Sequence, residues 1–423
     1  MMALVCSGAR ADRGRRRHRA AVFASVRLAS VGFVIVALLL SPVTADVAAA
    51  AAGQTLNIAI SQALNANCAA LGAPLGTQLT AVCAAAAGAP SSDDGGTSAA
   101  QSDTGGSDND TVKKRLQQLR GEETSQSPNS QEVTFGSGAL SGFAQFDYQN
   151  VDKHTTSFET GFTSNKYGGT VGVDYSFGKA VVGAALDYGH TNGTFDAGGG
   201  NFNTDAYGTY IYGSYLPIDN LFIDAVAGYR HNDTSLNRVE SFSVSGTTIA
   251  SGTEHSNPVG NEFRVGISGG YDFSYNGFTF GPRVAFNYTH NQINAFSESG
   301  STGLELAFDS QGFTSATSSA GVFLSKAFST GFGVIVPQAS ADYIHEFADD
   351  QQLFTAHFVQ DLKATPTVLS FESDGPDRDY FGLGFGVVMV LPHGLSPYLN
   401  YRALVGDSLK STQTVTAGLR VEF

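Results

Sequence analysis

Residues 414–423 read TVTAGLRVEF, and their side chains alternate between apolar and polar. Successive side chains of a β-strand point to opposite faces, so this alternation gives the strand one apolar face and one polar face. The apolar face holds Val415, Ala417, Leu419, Val421 and Phe423. This pattern predicts a strand of a membrane-spanning β-barrel, with its apolar side chains outward and its polar side chains inward.

The same alternation recurs in segments of about ten residues back to residue 139, with turn-forming residues between the segments. We predict twelve antiparallel strands, an even number that suits a closed barrel. They span 139–149, 166–177, 180–190, 204–215, 220–231, 261–274, 278–290, 312–327, 332–347, 378–390, 395–404 and 413–423. Short turns alternate with longer polar loops at 150–165, 191–203, 232–260, 291–311 and 348–377. We expect the short turns to face the periplasm and the long loops to face outside.

A soluble β-sandwich or propeller also has alternating strands, so it is the main competing fold. Three features favour the barrel: the alternation of short and long connections, the terminal phenylalanine, and aromatic residues near strand ends, where membrane interfaces lie. These aromatic residues are Tyr167, Tyr175, Phe177, Tyr188, Tyr207 and Tyr215. Outside the N-terminal region the sequence has no purely apolar run long enough for a membrane helix, so a polytopic helical membrane protein is excluded.

Residues 1–45 have the features of a secretory signal. Several arginines precede an apolar run from residue 28 to residue 40, and Val43-Thr44-Ala45 supplies the small residues of a cleavage site. The alternative is a membrane helix that is retained, since apolar residues continue to residue 52. The residues expected around a twin-arginine pair are missing, so we predict ordinary export through the Sec machinery.

Residues 46–109 are of low complexity, apart from the stretch between Cys68 and Cys83. In an oxidising compartment these two cysteines would form a small disulfide-closed loop, and the alternative is two unpaired thiols. Residues 89–109 contain almost no apolar side chain, so we predict a disordered linker there. Residues 110–122 then suit a short helix over 111–120, which Asp110 can cap and which Gly121 can end.

Several stretches of the C-terminal region resemble the autotransporter β-domain, the translocator of type V secretion. They include YGGTVGVDY at 167–175, VGAAL at 182–186, the Tyr-Gly pairs at 207–208 and 212–213, and GLRVEF at 418–423. The resemblance extends over residues 135–423. It implies a twelve-stranded outer-membrane barrel, inserted in the lipid bilayer as a monomer, with a helix in its pore. It also implies that Leu419, Val421 and Phe423 form the signal for the barrel-assembly machinery.

Residues 111–120 stand where the pore helix of this family would lie. Lys113, Lys114, Arg115 and Arg120 make the segment basic. Inside a barrel they would meet acidic side chains at inward-facing positions, and we predict Asp174, Asp187, Asp342 and Glu346 as these partners. The chain departs from the family pattern in its passenger, because residues 46–110 are too few for a β-solenoid or an enzyme domain.

Motifs of catalysis and of metal binding occur only in unsuitable contexts. Gly406-Asp407-Ser408-Leu409 spells a lipase-esterase block but lies in a loop near the C-terminus, and the GxSxG match around Ser268 lies inside a strand. The histidines have no metal-ligand spacing, and we predict no catalytic residue, no metal and no cofactor. The net charge of −14 disfavours nucleic acid as a partner.

These observations favour a non-catalytic outer-membrane translocator that displays or exports a short N-terminal segment. The first alternative is an outer-membrane pore or a surface adhesin that acts through its extracellular loops, especially 232–260 and 348–377. The second alternative is an enzyme that uses Ser408 or Ser268 as its nucleophile.

Overall fold

The computed structural model describes residues 56–69, 74–86, 139–244 and 247–422. Two helices come first, α1 (Leu56–Ala69) and α2 (Thr77–Ala86). The strands are β1 (Ala139–Lys153), β2 (Phe162–Phe177), β3 (Ala180–Phe195), β4 (Gly200–Ile218), β5 (Leu221–Val244), β6 (Thr247–Ser256), β7 (Val259–Tyr271), β8 (Phe273–Tyr275), β9 (Phe278–Ile293), β10 (Phe296–Ser297), β11 (Leu306–Phe308), β12 (Gln311–Lys326), β13 (Phe328–Ser329), β14 (Val334–Glu346), β15 (Leu353–Phe358), β16 (Leu369–Glu372), β17 (Asp379–Val390), β18 (Leu395–Val405) and β19 (Lys410–Glu422). Single 3₁₀ turns lie at Asp196–Gly198 and Pro392–Gly394.

Twelve of these strands close into an antiparallel barrel, as the sequence predicts. The order around the barrel is β1, β2, β3, β4, β5, β7, β9, β12, β14, β17, β18 and β19. The barrel closes where β1 pairs with β19, in an unbroken register from Ser141 opposite Glu422 to Lys153 opposite Lys410. Closure leaves no unpaired strand edge, which a sheet surrounded by lipid requires.

The outer surface of the barrel is apolar because the alternating side chains of each strand divide between the two faces. Val171, Val173, Leu186 and Ile211 are all more than half exposed. The six aromatic residues that the sequence places near strand ends are exposed as well. The alternate positions, such as Thr170 and Asp174, are buried inside the barrel. The outside therefore presents an apolar band with aromatic residues at its borders, as lipid contact requires.

Glycines and aromatic residues pair across neighbouring strands inside the barrel. Gly418 lies opposite Tyr398, and a Cβ added to this glycine would be 2.3 Å from the tyrosine ring. The same relation holds for Gly172 with Phe143, Gly183 with Tyr212, Gly193 with Phe202 and Gly228 with Tyr210. Each ring covers a backbone that has no side chain of its own, an arrangement known to support curved sheets. This pairing explains how a chain with 50 Gly and 46 Phe and Tyr residues forms one sheet.

On the side of the long loops, the strands continue past their predicted ends. The prediction of a loop over 232–260 is wrong: β5 runs on to Val244, and its outer half pairs with β6 from Leu236 opposite Ser256 onward. The loops predicted at 291–311 and 348–377 contribute a second sheet in the order β10-β11-β15-β16. These segments bury apolar side chains against one another, which gives them an ordered core that polar loops would lack. We call the β5–β6 extension together with this second sheet the dome.

The helices α1 and α2 form a hairpin that packs on the dome, and a disulfide joins Cys68 to Cys83. Sequence analysis assigned no helix to this segment, because its alanine-rich stretches show no strong amphipathic pattern. The predicted pore helix at 111–120 lies outside the described residues, as do the predicted signal at 1–45 and the linker at 89–109. Within the ranges that the structure describes, neither helix has the length and apolar character of a membrane span.

Candidate functional site

The barrel encloses a polar lumen that contains a cavity of about 370 Å³. The cavity extends from Phe222 and Arg283 to Asp374 and Asp377, close to the dome. The Arg283 guanidinium lies over the rings of Phe222 and Phe323, at 4.7 and 5.0 Å from the ring centroids. Charged side chains line the end of the cavity that lies close to the dome, among them Lys153, Glu159 and Asp374.

The four acids that the sequence places in the lumen have partners in the barrel wall. Asp187 accepts from Arg230 at 3.1 Å, and Asp342 lies 3.8 Å from Arg402. Asp174 accepts from the hydroxyls of Ser141 and Tyr212, the latter at 3.1 Å. Glu346 accepts from the Ser315 hydroxyl at 2.6 Å and from the backbone N–H groups of residues 316 and 348. The four basic residues predicted to pair with these acids, Lys113, Lys114, Arg115 and Arg120, lie outside the described residues.

Two glycines on inward positions do not leave open space at the wall. A Cβ at Gly208 would fall 1.9 Å from a carboxylate oxygen of Asp187, and one at Gly382 would fall 2.7 Å from the Arg402 guanidinium. Both glycines therefore make room for the ion pairs of the wall. A pore helix would have to contact the paired charges from the lumen side, where their combined charge is small.

A three-membered charge cluster, which sequence analysis did not predict, lies at the border between lumen and dome. Lys153 at the end of β1 donates to Glu159 at 2.8 Å and to Asp374 at 2.7 Å. All three side chains are at least nine-tenths buried. Burial raises the pKa of Glu159, and the Lys153 ammonium opposes this shift. The cluster ties the loop after β1 to the loop before β17, so it fixes two long connections over the lumen.

The dome contains a second cluster, in which one arginine is surrounded by glutamates. Arg238 is completely buried and donates to both carboxylate oxygens of Glu298, from Nε at 2.8 Å and from Nη2 at 2.7 Å. It also donates to Glu240. Two further buried glutamates lie close by, Glu254 and Glu305. Four carboxyl groups thus share one cation, an arrangement that is costly unless some carboxyls are protonated.

Glu254 is the carboxyl of this cluster whose protonation the structure favours. Burial raises its pKa, and so do the charges of Glu305 and Glu298, whereas Arg238 and the hydroxyl of Thr302 oppose the shift. The Thr302 hydroxyl donates to Oε1 of Glu254. The other oxygen, Oε2, is buried with no hydrogen-bond partner among the described residues. A proton on Glu254 reduces the excess negative charge in the dome.

The contact between the helical hairpin and the dome is both apolar and specific. Leu56, Ile60 and Leu64 of α1, together with Leu79 and Val82 of α2, share a buried core with the dome. The Gln360 side chain accepts at Oε1 from the backbone N–H groups of Gln78 and Leu79, at 3.1 and 3.2 Å. A loop of the dome therefore caps the first turn of α2, a role that a residue of the helix's own segment usually fills.

A repeated polar belt surrounds the barrel at the level where the long loops begin. Six strands that run toward the dome carry an outward tyrosine, and in four of them a histidine follows two residues later on the same face. The tyrosines are Tyr148, Tyr188, Tyr229, Tyr288, Tyr343 and Tyr401, and the histidines are His190, His231, His290 and His345. Sequence analysis found no metal-ligand spacing among the histidines and did not use their repeated Tyr-x-His spacing.

Each of the six strands is joined, through its tyrosine or its histidine, to the barrel strand that follows across its long loop. Asp205 accepts from Tyr188 at 2.7 Å and from Nδ1 of His190 at 2.8 Å. Asp379 serves Tyr343 and His345 in the same way, and Asn261 serves Tyr229 and His231. Simpler forms join Tyr148 to Asn165, His290 to Thr314 and Tyr401 to Gln413. The belt therefore fastens each long-loop hairpin at its base, where a tight turn is absent.

The two serines considered as nucleophiles lie in settings that do not support a catalytic triad. The Ser408 hydroxyl donates to a carboxylate oxygen of Asp377 at 3.0 Å, whereas a triad needs an imidazole at that position. Ser268 lies within β7 and lines the lumen cavity. In the parts of the chain with described coordinates, no group of histidine, cysteine, aspartate and glutamate side chains could hold a metal ion.

The predicted assembly signal lies on the strand that closes the barrel. Leu419 is exposed on the outer surface, and Val421 pairs with Gly142 of β1 and with Leu395 of β18. Phe423 lies outside the described residues.

Comparisons with known proteins identify the family. The family model described as "Autotransporter beta-domain" matches residues 142–402, which is more than half of the chain. The translocator domain of the autotransporter NalP from Neisseria meningitidis is 16% identical, with a TM-score of 0.53, and the match covers 75% of this chain and 98% of that one. The β-domain of the Bordetella autotransporter BrkA is also 16% identical, with a TM-score of 0.48 and coverage of 68% and 100%. A search of curated proteins gave no match.

The closed twelve-stranded barrel, its apolar outer band and the match over residues 142–402 agree with one another. The chain is therefore a member of the autotransporter β-domain family, whose barrels lie in the bacterial outer membrane.

Proposed function

We propose that this barrel translocates its own N-terminal segment and displays residues 56–86 on the cell surface as a disulfide-closed helical hairpin. The packing of the hairpin on the dome supports the proposal. Bacterial outer-membrane barrels carry their long loops on the extracellular side, and the dome is built from such loops. A segment folded against them has crossed the membrane. The oxidised cysteine pair agrees with a location outside the cytoplasm.

The route follows from the same proposal. The signal at 1–45 leads the chain through the Sec machinery, and the barrel-assembly machinery recognises the last strand through Leu419, Val421 and Phe423. The barrel then inserts as a monomer, and the basic segment 111–120 occupies the lumen after the hairpin has passed. No step of this route needs catalytic chemistry from the barrel itself.

Protease accessibility on intact cells tests the proposal. A short protease-cleavable tag is placed at Ser92 in one protein and in the loop between β5 and β6, at residues 245–246, in another. We expect external protease to cut both tags, while a periplasmic marker protein stays intact. Cutting of the loop tag alone would place the N-terminal segment in the periplasm and would contradict display.

One observation favours the pore alternative, and another favours the adhesin alternative. The lumen contains a 370 Å³ cavity, and the dome exposes the apolar side chains of Leu362 and Val368, each 61% exposed. The enzyme alternative predicts esterase activity that disappears in Ser408→Ala. Its absence from the unaltered protein would contradict that alternative.

A further inference from the structure

The contact between hairpin and dome combines a shared apolar core with backbone hydrogen bonds. We infer that the dome is a receptor for the helical hairpin, so that residues 56–86 stay bound to the barrel surface after the connecting chain has been cut. The inference rests on the proposed function, because it concerns the fate of the displayed segment. On this inference the exported hairpin stays bound at the barrel surface and is not released as a peptide.

The apolar part of the interface is buried on both sides. On the hairpin, Ile60, Leu64 and Leu79 are at most 1% exposed. On the dome, Phe358 and Phe371 are likewise at most 1% exposed, and they belong to the same core. α1 packs against β16 and α2 packs against β6. Release of the hairpin would expose these side chains to water at both surfaces, and apolar exposure is the main cost that opposes dissociation.

The polar part of the interface gives the contact its register. The backbone N–H of Gly76 donates to the Gln360 carbonyl at 2.9 Å, and the N–H of Leu362 donates to the Pro74 carbonyl at 3.0 Å. The chain before α2 thus pairs with the dome loop as a short antiparallel bridge. Gly303, with a φ of +82°, allows the dome backbone to approach α2, since an added Cβ would lie 2.8 Å from the Gln78 carbonyl carbon. These backbone contacts and the close approach at Gly303 fit the hairpin, so we take the hairpin as the occupant of this surface of the dome.

The hairpin also depends on the dome for its own fold. α1 has 14 residues and α2 has 10, and helices of this length are marginal in water on their own. The Gln360 side chain satisfies two N–H groups of the first turn of α2. A hairpin that left the dome would lose this cap and most of its buried side chains. Dissociation therefore includes partial unfolding of the hairpin, and this makes release slow.

A cleavable linker tests the inference on the full chain. A protease recognition sequence replaces residues 91–96, and an affinity tag precedes residue 54. The purified protein is cut in mild detergent without reductant and then passed through gel filtration. We expect the tagged fragment to elute with the barrel. Prompt separation of the fragment from the unaltered barrel would overturn the inference.

Three variants identify the contact. Leu79→Asp places a charge in the apolar core and should speed release by at least about a hundredfold, since an unpaired buried charge is very costly. Gln360→Ala removes the cap of α2 and should speed release by about tenfold, the ratio expected for a loss of one to two hydrogen bonds. Gln351→Ala, at an exposed glutamine in the loop between β14 and β15, is the control and should release no faster than the unaltered protein.

The outcomes separate this inference from the proposed function. The mobility difference between unheated and boiled samples on a gel shows that each variant barrel is folded, and Gln360→Ala carries the test if Leu79→Asp does not assemble. Equal release from Gln360→Ala and Gln351→Ala would contradict the assigned contact. A tag at Ser92 that is protected on intact cells contradicts display, whereas a displayed fragment that leaves after cutting contradicts retention alone.

Discussion

Individual buried charges determine how the dome responds to mutation and to pH. Arg238 has no exposed surface, and its guanidinium contacts the carboxylates of Glu240 and Glu298. The nearby carboxylates raise its pKa even though burial alone would lower it. The residue therefore stays charged and neutralises part of a cluster that would otherwise consist of carboxyl groups alone. We expect removal of Arg238 to lower the stability of the dome at neutral pH, and protonation of the nearby carboxyl groups to offset part of that loss.

Arg238→Met should destabilise the dome by about 3–5 kcal/mol at neutral pH, because the loss of one partner leaves buried carboxylates without compensation. The measurement is the thermal midpoint of the dome, followed by near-UV circular dichroism. Part of the loss should be recovered at pH 5, where the carboxyls can bind protons. An equal loss at pH 5 and pH 8 would contradict the electrostatic explanation and would indicate lost packing.

Glu254→Gln should reduce the pH dependence of dome stability. The pKa of Glu254 is raised in the fold, so the stability that its protonated form contributes is fully present below its unfolded pKa of about 4.3. That stability is lost as the pH rises through the higher value in the folded protein. The unaltered dome should therefore melt at a lower temperature at pH 8 than at pH 5. Glutamine cannot ionise and should flatten this difference.

The control for this prediction is Asp350→Asn, which changes an exposed carboxyl in the loop after β14. It should leave the pH dependence of the melting temperature as it is in the unaltered protein. If Glu254→Gln and Asp350→Asn give the same slope between pH 5 and pH 8, another carboxyl of the cluster carries the proton.

At the scale of the elements, two devices hold neighbouring strands in register. Inside the barrel, aromatic rings cover glycines on the adjacent strand, as Tyr398 covers Gly418. Outside, the belt joins the base of each long-loop hairpin through a tyrosine, a histidine or both, with a polar partner on the next strand. A one-residue slip would turn every side chain of a strand to the wrong face, so register must be specified at both ends. The short turns do this at one end of the barrel and the belt does it at the other.

Gly418→Ala should destabilise the barrel by about 1–3 kcal/mol, the usual cost of overpacking. The added Cβ would displace the Tyr398 ring, whose hydroxyl donates to Gln145 at 2.7 Å. The temperature at which unheated protein loses its folded gel mobility measures the effect. Gly331→Ala, at a turn position with no atom within 4 Å of the added Cβ, is the matched control and should have little effect.

Asp379→Ala removes the acceptor shared by Tyr343 and His345. The variant should unfold at a lower urea concentration than the unaltered protein, because both hydrogen bonds are lost. Asp219→Ala is the control, because this side chain is 97% exposed and its ion pair with Lys179, at 3.6 Å, should contribute little. Urea titration of both variants in the same detergent gives the comparison. Equal midpoints would show that the belt does not stabilise the strand pair.

At the scale of the whole molecule, the prediction of a plugged pore concerns the lumen of the barrel. The wall acids have partners in the wall, so the plug predicted at 111–120 would be held by many weak contacts and by its connection to β1. The charge cluster of Lys153, Glu159 and Asp374 lies at the border between the lumen and the dome.

Deletion of residues 111–120 should raise the single-channel conductance of the protein in planar bilayers. The physical reason is that, if the segment fills part of the lumen, its removal would open that space to the cavity of about 370 Å³. A second protein, with Lys113, Lys114, Arg115 and Arg120 changed to glutamine, should show an intermediate increase. Unchanged conductance on deletion would contradict the pore-helix prediction and would leave the dome as the element that closes the barrel.

The sequence by itself determined the barrel. Period-two alternation, connection lengths and the pattern of the last strand are local properties of the sequence. In a closed sheet surrounded by lipid, one arrangement satisfies them, with apolar side chains outward and polar side chains inward. The positions of Asp174, Asp187, Asp342 and Glu346 on inward faces follow from the same alternation. Their partners do not, because Arg230 and Arg402 reach them from neighbouring strands, and cross-strand contacts depend on register and on side-chain direction.

Only the tertiary structure decided the dome, its seated hairpin and the two buried clusters. Residues 56–86 contact segments more than 200 positions away, such as the loop at Gln360. Their helices lack a strong amphipathic pattern, and their apolar side chains are buried against surfaces that distant loops supply. Arg238, Glu254 and Glu298 likewise look like ordinary loop charges in the sequence. They become a buried cluster because the β5–β6 hairpin, which carries Arg238 and Glu254, packs against the β10–β11 hairpin, which carries Glu298. No local pattern in the sequence records this contact.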